Sequence, residues 1–370
     1  MLNFYFLNVG HGSSVIVEVH DGVKRVYGVI DSNRVGSREP RTLTKLRELG
    51  AQELSFLCLT HPHVDHFNGL FEVVLAFPNA IRHFYSCPFG DLCLNRNRLR
   101  KLASKLKKIA NSSDGMTQRQ AAVELGQIIR WADTGARDGI LEWRECSGES
   151  LSIAPPGFSD VEIKTILPPN RAKGNYVQRI MQEDMSILGG FQENDISLAF
   201  EFSFRGVTVV LGGDGTKVNW EVRRKFEGNK NTPINAPIVN LPHHGSKKDC
   251  TPEVVDQLFA KRGRRVAITS ADGQSHPDLS VIELLQKNSI EPFCTNLIPA
   301  CGAKAQRLLV LPGIEPTLAR WLREVASNAG QVQPCQGDVT VSIQDAGTFS
   351  ITPEFRNACG FRGDYDWLIA

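Results

Sequence analysis

The stretch Thr60-His61-Pro62-His63-Val64-Asp65-His66-Phe67-Asn68-Gly69 places three histidines and one aspartate within six residues. Imidazole and carboxylate groups are the usual ligands of zinc-like cations. The apolar residues Leu54 to Leu59 predict a buried strand before it, and apolar residues recur at helical spacing from Phe67 to Phe77. The histidine-rich stretch is therefore predicted to be a strand-to-helix loop at the carboxyl end of a strand, where the active sites of α/β sheets lie.

The spacing of these side chains favours two metal ions. His61 and His63 alternate along the chain and can face one metal together. Asp65 and His66 follow at the turn and can face a second metal about 3.5–4 Å away, the separation in two-metal hydrolytic sites. The alternative is a solvated histidine-rich turn, which we disfavour because no structural need places three imidazoles and an acid at this spacing.

The motif His-x-His-x-Asp-His after an apolar strand resembles the signature of the metallo-β-lactamase-fold hydrolases. Other segments resemble one branch of them, the hydrolase domain of ComEC-type DNA-uptake proteins and its free-standing relatives. In chain order these segments are Asn8 to Ser14, Asn194 to Leu198, Leu211 to Asp214, Leu241 to Ser246 and Ser275 to Pro277, while Val29 to Ser32 resembles the early aspartate strand end of the family as a whole. The matching segments span roughly residues 2 to 290, and a long segment within that range has no match.

This resemblance implies a mixed α/β (α+β) fold, the four-layer αββα sandwich, in which two mixed sheets pack face to face between outer helices. The alternating strand and helix patterns are compatible with that architecture. We expect one such domain over residues 1–370. We expect a basic helical insertion at 94–135 and a C-terminal helix and hairpin at 300–370 that extend the same domain.

Several elements are predicted from local patterns alone. Strands at 2–8, 14–20 and 25–30 form a meander, and 198–204 with 207–211 form a hairpin that delivers Asp214 at a Gly-rich turn. We expect the glycines of that turn to let the backbone approach a metal closely. A helix is predicted at 316–327, and residues 170–193 are expected to form a mobile loop near the site mouth.

The resemblance also implies the ligand set of a binuclear site. His61 and His63 would bind one metal, Asp65, His66 and His276 the other, and Asp214 would bridge them. The candidate metal ligands are His61, His63, Asp65, His66, Asp214, His243 and His276, and the candidate catalytic residues are Asp65, His243 and His244. We expect His243 to be the inward member of its pair, and either histidine of the pair to protonate the leaving oxygen.

One departure from the family concerns a further histidine between the first motif and the Gly-Asp turn. The only histidine in that interval is His83, on a short predicted strand where a structural role fits better. Either His243 completes the first metal's ligands, or that metal is bound more loosely, or only one metal binds tightly.

Three other residues keep two interpretations each. Asp31 orients metal ligands in the family, but a helix or turn cap would explain it equally well. His11 stands where the branch usually has glutamine, and it either lines the site or is a turn histidine without a metal role. His276 is either a ligand or part of a His-Pro turn that precedes a helix.

A basic run lies within the predicted insertion. Seven basic residues between Arg96 and Lys108 have no acid among them, and apolar residues recur there at helical spacing. This amphipathic helix either steers phosphate backbones toward the site or is an ordinary solvated face. The net charge of +2 is by itself too small to indicate a polyanionic partner.

Composition limits the other classes. No apolar run approaches about 18 residues, so no membrane span is expected, and the first nine residues read as a strand rather than a signal peptide. Nine scattered cysteines without a Cys-x-x-Cys pair favour a reducing cytoplasm over a disulfide framework. Histidine and carboxylate ligands suit zinc or manganese, with iron the less favoured choice.

The function predicted from the resemblance is metal-dependent hydrolysis of phosphodiesters in DNA or RNA through a metal-bridged hydroxide. The alternatives are a hydrolase of a small ester, lactone or phosphodiester, or an effector subunit activated by a protein partner from the same operon. We find no phosphate-binding Gly-x-x-x-x-Gly-Lys, no dinucleotide-binding Gly-x-Gly-x-x-Gly and no Gly-x-Ser-x-Gly elbow. The expected substrate partner is nucleic acid, with no membrane partner.

Overall fold

The computed structural model describes residues 1–36, 38–88, 118–148, 151–172, 174–175, 193–226, 233–272, 275–298 and 335–355. Three sequence predictions therefore lie wholly or mostly outside the described residues. They are the basic helix of 96–108, the loop of 170–193 and the helix of 316–327.

The first sheet contains the predicted meander and, within the described residues, has eight strands. They are β1 (Leu2–Phe6), β2 (Val15–His20), β3 (Arg25–Ile30), β4 (Leu54–Leu59), β5 (Ile81–Ser86), β6 (Glu142–Glu145), β14 (Val339–Ile343) and β15 (Phe349–Pro353). Their order is β15-β14-β1-β2-β3-β4-β5-β6. Pairing is antiparallel from β15 to β3 and parallel from β3 to β6. The meander and the C-terminal hairpin are confirmed.

The second sheet has seven strands in the same described part of the chain. They are β7 (Leu151–Ile153), β8 (Glu162–Leu167), β9 (Ala199–Phe204), β10 (Val207–Leu211), β11 (Ile238–Asn240), β12 (Val266–Thr269) and β13 (Glu291–Cys294). Their order is β13-β12-β11-β10-β9-β8-β7, and the pairs from β10 to β13 are parallel. The hairpin predicted before Asp214 is formed by β9 and β10.

Helices cover the outer faces of both sheets. They are α1 (Arg41–Glu48), α2 (Val64–Phe67), α3 (Leu70–Ala76), α4 (Gln118–Arg137), α5 (Lys217–Phe226), α6 (Pro252–Leu258) and α7 (Leu279–Lys287). The inner faces meet in one apolar core, where the rings of Phe4 and Phe202 make an edge contact at 5.2 Å. A second core places Trp220, Val254 and Leu285 against the second sheet. The predicted αββα sandwich is confirmed.

Within the described residues, the insertion predicted at 94–135 contains most of α4. Its residues Leu125 and Ile128 are buried in the main apolar core, so this helix is part of the packed domain. Its status as an insertion stays a prediction. Six cysteines lie in the described residues and all are free thiols. Among the described residues, no helix has the length and apolarity needed to cross a membrane.

The strand ends explain where the site forms. Asp31 follows β3, the histidine-rich loop follows β4, Asp214 follows β10, and His243 and His244 follow β11. Within a run of parallel strands the carboxyl ends meet at one edge. Residues far apart in sequence, such as His61 after β4 and Asp214 after β10, converge at a single edge of the two sheets.

Candidate metal centre

Six side chains form two donor groups at this edge. We call His61, His63 and Asp214 the first donor group, and Asp65, His66 and His244 the second donor group. In each group, one ligand atom per residue lies within 4.8 Å of the others. Asp214 lies between the groups, because its Oδ2 is 3.5 Å from His61 Nε2 and its Oδ1 is 3.3 Å from His66 Nε2.

Several buried polar atoms of these groups point inward without a hydrogen-bond partner. They are Nε2 of His61, His66 and His244 and Oδ1 of Asp214. A buried polar atom left unpaired costs about 1–3 kcal/mol, so such a cluster is unfavourable unless something binds there. Imidazole nitrogen and carboxylate oxygen suit zinc, manganese and iron. These residues therefore fit divalent metal ions.

Asp31 fixes the ring of His66. Its Oδ2 lies 2.6 Å from His66 Nδ1, and the same carboxylate accepts hydrogen bonds from the backbone nitrogen and the hydroxyl of Thr60, at 2.8 and 2.7 Å. The ring of His66 is thereby held with Nε2 toward Asp65 and Asp214. Of the two interpretations of Asp31, the structure supports the one in which it orients a candidate ligand.

The turn between β1 and β2 supports Asp65. His11 Nε2 is 3.2 Å from Asp65 Oδ2, and His11 Nδ1 is 3.8 Å from Asp272 Oδ2. Gly12 has φ +113°, and a Cβ there would lie 2.1 Å from the carbonyl oxygen of Asp65. Ser13 donates its backbone N–H to that same oxygen. His11 therefore lines the site, which favours that one of its two interpretations.

Ser197 supports the first donor group from the turn before β9. Its Oγ lies 3.3 Å from His61 Nδ1 and accepts the backbone N–H of Asp214 at 2.9 Å. Gly213 has φ +51°, and a Cβ there would lie 2.2 Å from the carbonyl oxygen of Leu198. Glycine is thus required in this turn because Gly213 lies close to the backbone at the start of β9.

His243 and His244 occupy a strained turn. Their φ values are +46° and +54°, in the left-handed region that residues other than glycine rarely adopt. His244 joins the second donor group, and its Nδ1 faces the carbonyl oxygen of Ser270 at 3.2 Å. His243 Nδ1 lies 2.6 Å from Asp249 Oδ2, and its Nε2 lies 3.9 Å from Asp214 Oδ2.

His276 lies beside these groups without entering either of them. Its ring centroid is 5.9 Å from that of His243, and its Nδ1 is 3.6 Å from Asp278 Oδ2. Where we expected His276 to join Asp65 and His66, the structure brings His244 to them. The metal-binding roles assigned to His243 and His276 stay predictions.

The charge states of Asp65, Asp214 and His61 suit metal binding, whereas at His66 the carboxylates of Asp214, Asp31 and Asp65 outweigh burial and raise the pKa well above its ordinary value. Burial by itself raises the pKa values of Asp65 and Asp214, but the surrounding imidazoles outweigh it and hold both well below the usual range. Burial, followed by the neighbouring His66, lowers the pKa of His61 well below its ordinary value. Metals bind ionised carboxylates and neutral imidazoles, which are the forms favoured here for these three residues.

Sequence reasoning missed the partners Asp249, Asp272, Ser197 and Glu193. Ser197 belongs to a segment that resembles the branch, but its bond to His61 depends on tertiary packing. Asp249 and Asp272 have no diagnostic spacing from the histidines that they contact. His83 stacks on Tyr85 and lies outside both donor groups, in agreement with the structural role predicted for it.

Comparison with known proteins gives a partial family match. Residues 9–86 match the family described as the metallo-beta-lactamase superfamily, which supports the resemblance over that segment. The ComEC-type branch stays a prediction. No curated protein matches the chain.

Three similar solved structures each cover most of the chain. Zn²⁺-bound PqqB from Methylobacterium extorquens is 9% identical, covering 80% of this chain and 98% of its own, with a TM-score of 0.40. A diphosphatase from the PhnP family is 13% identical, covering 79% and 95%, with a TM-score of 0.37. A metallo-beta-lactamase family protein from Thermus thermophilus is 14% identical, covering 88% and 90%, with a TM-score of 0.33.

Proposed function

We propose that this chain is a hydrolase that uses two divalent metal ions, zinc or manganese, to cut phosphodiester bonds in DNA or RNA. The observation that carries the proposal is the pair of donor groups that meet at Asp214. Four of their buried atoms, Nε2 of His61, His66 and His244 and Oδ1 of Asp214, have no hydrogen-bond partner within the described residues. A structural role alone gives no reason to bury that arrangement.

The chain's own residues have distinct tasks in this proposal. The two donor groups hold the cations, which supply Lewis acidity and lower the pKa of water. His243 Nε2 faces Asp214, while Asp249 fixes the ring through Nδ1. His243 is therefore placed to donate a proton to the leaving oxygen. Asp65 and its partner His11 hold the second donor group on the side nearest β1.

Two sequence features support a phosphodiester of nucleic acid as the substrate. The segment from Arg96 to Lys108 is strongly basic and contains no acid. Lys247 and Lys248 directly follow the His243–Ser246 turn, and both are exposed. Cationic side chains favour a polyanionic backbone by increasing its local concentration and its rate of association.

The test is degradation of plasmid, linear and single-stranded DNA and of RNA, with bis(p-nitrophenyl) phosphate as a small phosphodiester. The protein is loaded with Mn²⁺ or Zn²⁺, and its metal content is measured. Asp65→Ala and Asp214→Ala are compared with Asp256→Ala, an exposed aspartate on α6. We expect cleavage by the parent and by Asp256→Ala, and none by the other two.

Other outcomes identify the alternatives. Cleavage of bis(p-nitrophenyl) phosphate or of a lactone, without any cleavage of nucleic acid, would replace the nuclease proposal with a small-molecule hydrolase. A folded, metal-loaded protein that cleaves no substrate would contradict the simple enzyme proposal and favour an effector that requires a protein partner. A folded protein that binds no metal would contradict the proposal altogether.

A further inference from the structure

The two donor groups are unequal in number of protein donors. Around the second group, Asp65, His66 and His244 are joined by Asp214 Oδ1, which lies 3.5 Å from His244 Nε2. The first group has His61, His63 and Asp214. Zinc sites commonly use three or four protein ligands, and the histidine that the resemblance predicts for the first metal is missing.

Glu193 lies beside this incomplete group. Its side chain is 8% exposed, and its Oε2 is 3.7 Å from His63 Nε2. That separation is close to the 3.5 Å between His61 Nε2 and Asp214 Oδ2, but the Glu193 carboxylate approaches His63 and lies outside the 4.8 Å limit that defines the first donor group. Buried carboxylates occur in proteins chiefly where they are paired or coordinate a metal.

The fold places Glu193 there by a short connection. The one-turn 3-10 helix Glu193–Ile196 leads into β9, and Leu198 donates its backbone N–H to the carbonyl oxygen of Thr60 at 3.0 Å. Thr60 directly precedes His61, so the turn is anchored to the loop that carries the first donor group. Glu193 thus lies between the histidine-rich motif and Asp214 in sequence, within the interval where the expected histidine is missing.

The two histidines considered for this role fit less well. His83 is directed at Glu142 and stacks on Tyr85, away from the donor groups. His243 uses Nδ1 for Asp249, and its Nε2 lies 3.2 Å from the side-chain nitrogen of Asn194. A glutamate has three rotatable bonds before its carboxylate, so Glu193 can close on the group by rotation of its side chain.

We propose that Glu193 is the fourth protein ligand of the first donor group and replaces the missing histidine. The inference rests on the proposed two-metal function, because it assigns one of the ligands of that site. A carboxylate in this place reduces the positive charge of the first metal more than a neutral imidazole does. The first metal site thereby becomes richer in oxygen, which favours manganese relative to zinc.

The experiment measures metal binding directly, by elemental analysis after dialysis and by titration against a chelator of known affinity. Glu193→Gln keeps the shape and removes the charge, and Glu193→His supplies an imidazole. Glu201→Gln, on β9, is the matched control outside the donor groups. Tm of each metal-free variant reports folding independently, and Glu193→Asp replaces any variant that fails to fold.

We expect Glu193→Gln to keep one metal and to bind the other at least about 100-fold more weakly, beyond the 10–100-fold typical of an outer partner. Glu193→His should restore both metals and shift the preference toward zinc. Unchanged binding of both metals by folded Glu193→Gln would overturn the inference while leaving the two-metal proposal intact. A parent protein that binds fewer than two metals would instead contradict the proposed function.

Discussion

The two donor groups differ in how firmly the surrounding protein holds them. In the second group, every side chain has an outer contact: His66 with Asp31, His244 with the Ser270 carbonyl, and Asp65 with His11. In the first group, His61 has Ser197 and Thr60, whereas His63 is 18% exposed and faces Glu193. The second group is therefore the more preorganised one.

Outer contacts of this kind fix ligand orientation before a metal arrives. Because less ordering remains to be done on binding, the second donor group should bind its metal more tightly. The occupancy of the first group should respond more to metal concentration, since His63 is partly exposed. The comparison predicts that sequential metal binding will fill the second group first.

The largest effect is expected at the residue that the groups share. Asp214→Ala removes an oxygen from each group and leaves buried imidazoles without their neighbouring charge. We expect loss of both tightly bound metals and of hydrolysis. Elemental analysis measures the bound metals, and substrate turnover measures hydrolysis. Retention of either metal at parental affinity would show that the groups do not depend on one carboxylate.

Gly12→Ala is expected to damage the second group selectively. The added Cβ would meet the carbonyl oxygen of Asp65 in a backbone conformation that alanine rarely adopts. Strain and crowding of this kind cost about 1–3 kcal/mol each, and Asp65 must shift to relieve them. We expect a lower free energy of unfolding and weaker binding of one metal.

Gly22→Ala is the matched control for that prediction. Gly22 also has a positive φ, at +100°, but a Cβ there meets nothing within 4 Å. Its substitution should lower stability through backbone strain alone and leave both metals bound. Equal losses of stability and of metal binding in Gly12→Ala and Gly22→Ala would show that the contact with Asp65 is unimportant.

Asp31→Asn and Ser197→Ala compare the outer partners of the two groups. Asp31→Asn weakens the contact to His66, and Ser197→Ala removes the hydroxyl beside His61. For Asp31→Asn we expect the metal affinity of the second donor group to fall roughly 10–100-fold. For Ser197→Ala, which removes only a neutral hydroxyl, we expect a smaller loss of metal affinity at the first donor group. Chelator titration of each variant checks both, and the reverse ranking would contradict the comparison.

Local sequence predicted the elements that carry the site but not all of its contacts. The histidine-rich motif and the β9–β10 hairpin follow from short-range patterns, because strand alternation and helical spacing are local properties. We expected His243 to be the inward member of its pair, whereas the structure brings the buried His244 into the second donor group. Alternation applies to extended backbone, and both residues have positive φ, so the turn decides which ring enters the donor group.

The outer partners were less predictable for a different reason. Asp31 was identifiable only as one of two interpretations, and the contacts of His11 with Asp65 and Asp272 join three separate loops. Such contacts depend on how the two sheets pack, which no spacing in the sequence encodes. Glu193 stands in a segment without clear periodicity, so a search for a missing histidine did not point to it.

The smallest effect concerns an anchor behind the second group. Glu124 on α4 accepts the backbone N–H of Gly69, which joins α2 to α3, at 3.0 Å. Burial, with Glu72 close by, raises the pKa of Glu124 to about 7 from an ordinary 4.5. The folded protein therefore holds this proton more tightly than the unfolded chain does, so stability falls as pH rises from 4.5 through 7.

Glu124→Gln removes that titration and keeps an oxygen acceptor for Gly69. We expect the free energy of unfolding of the variant, relative to the parent, to rise by about 1–2 kcal/mol between pH 6 and pH 8. Urea unfolding of the metal-free proteins at both pH values measures it, with the exposed Glu53→Gln as control. An identical pH dependence in parent and variant would show that Glu124 does not titrate in this range, and that the anchor behind the second group is independent of pH.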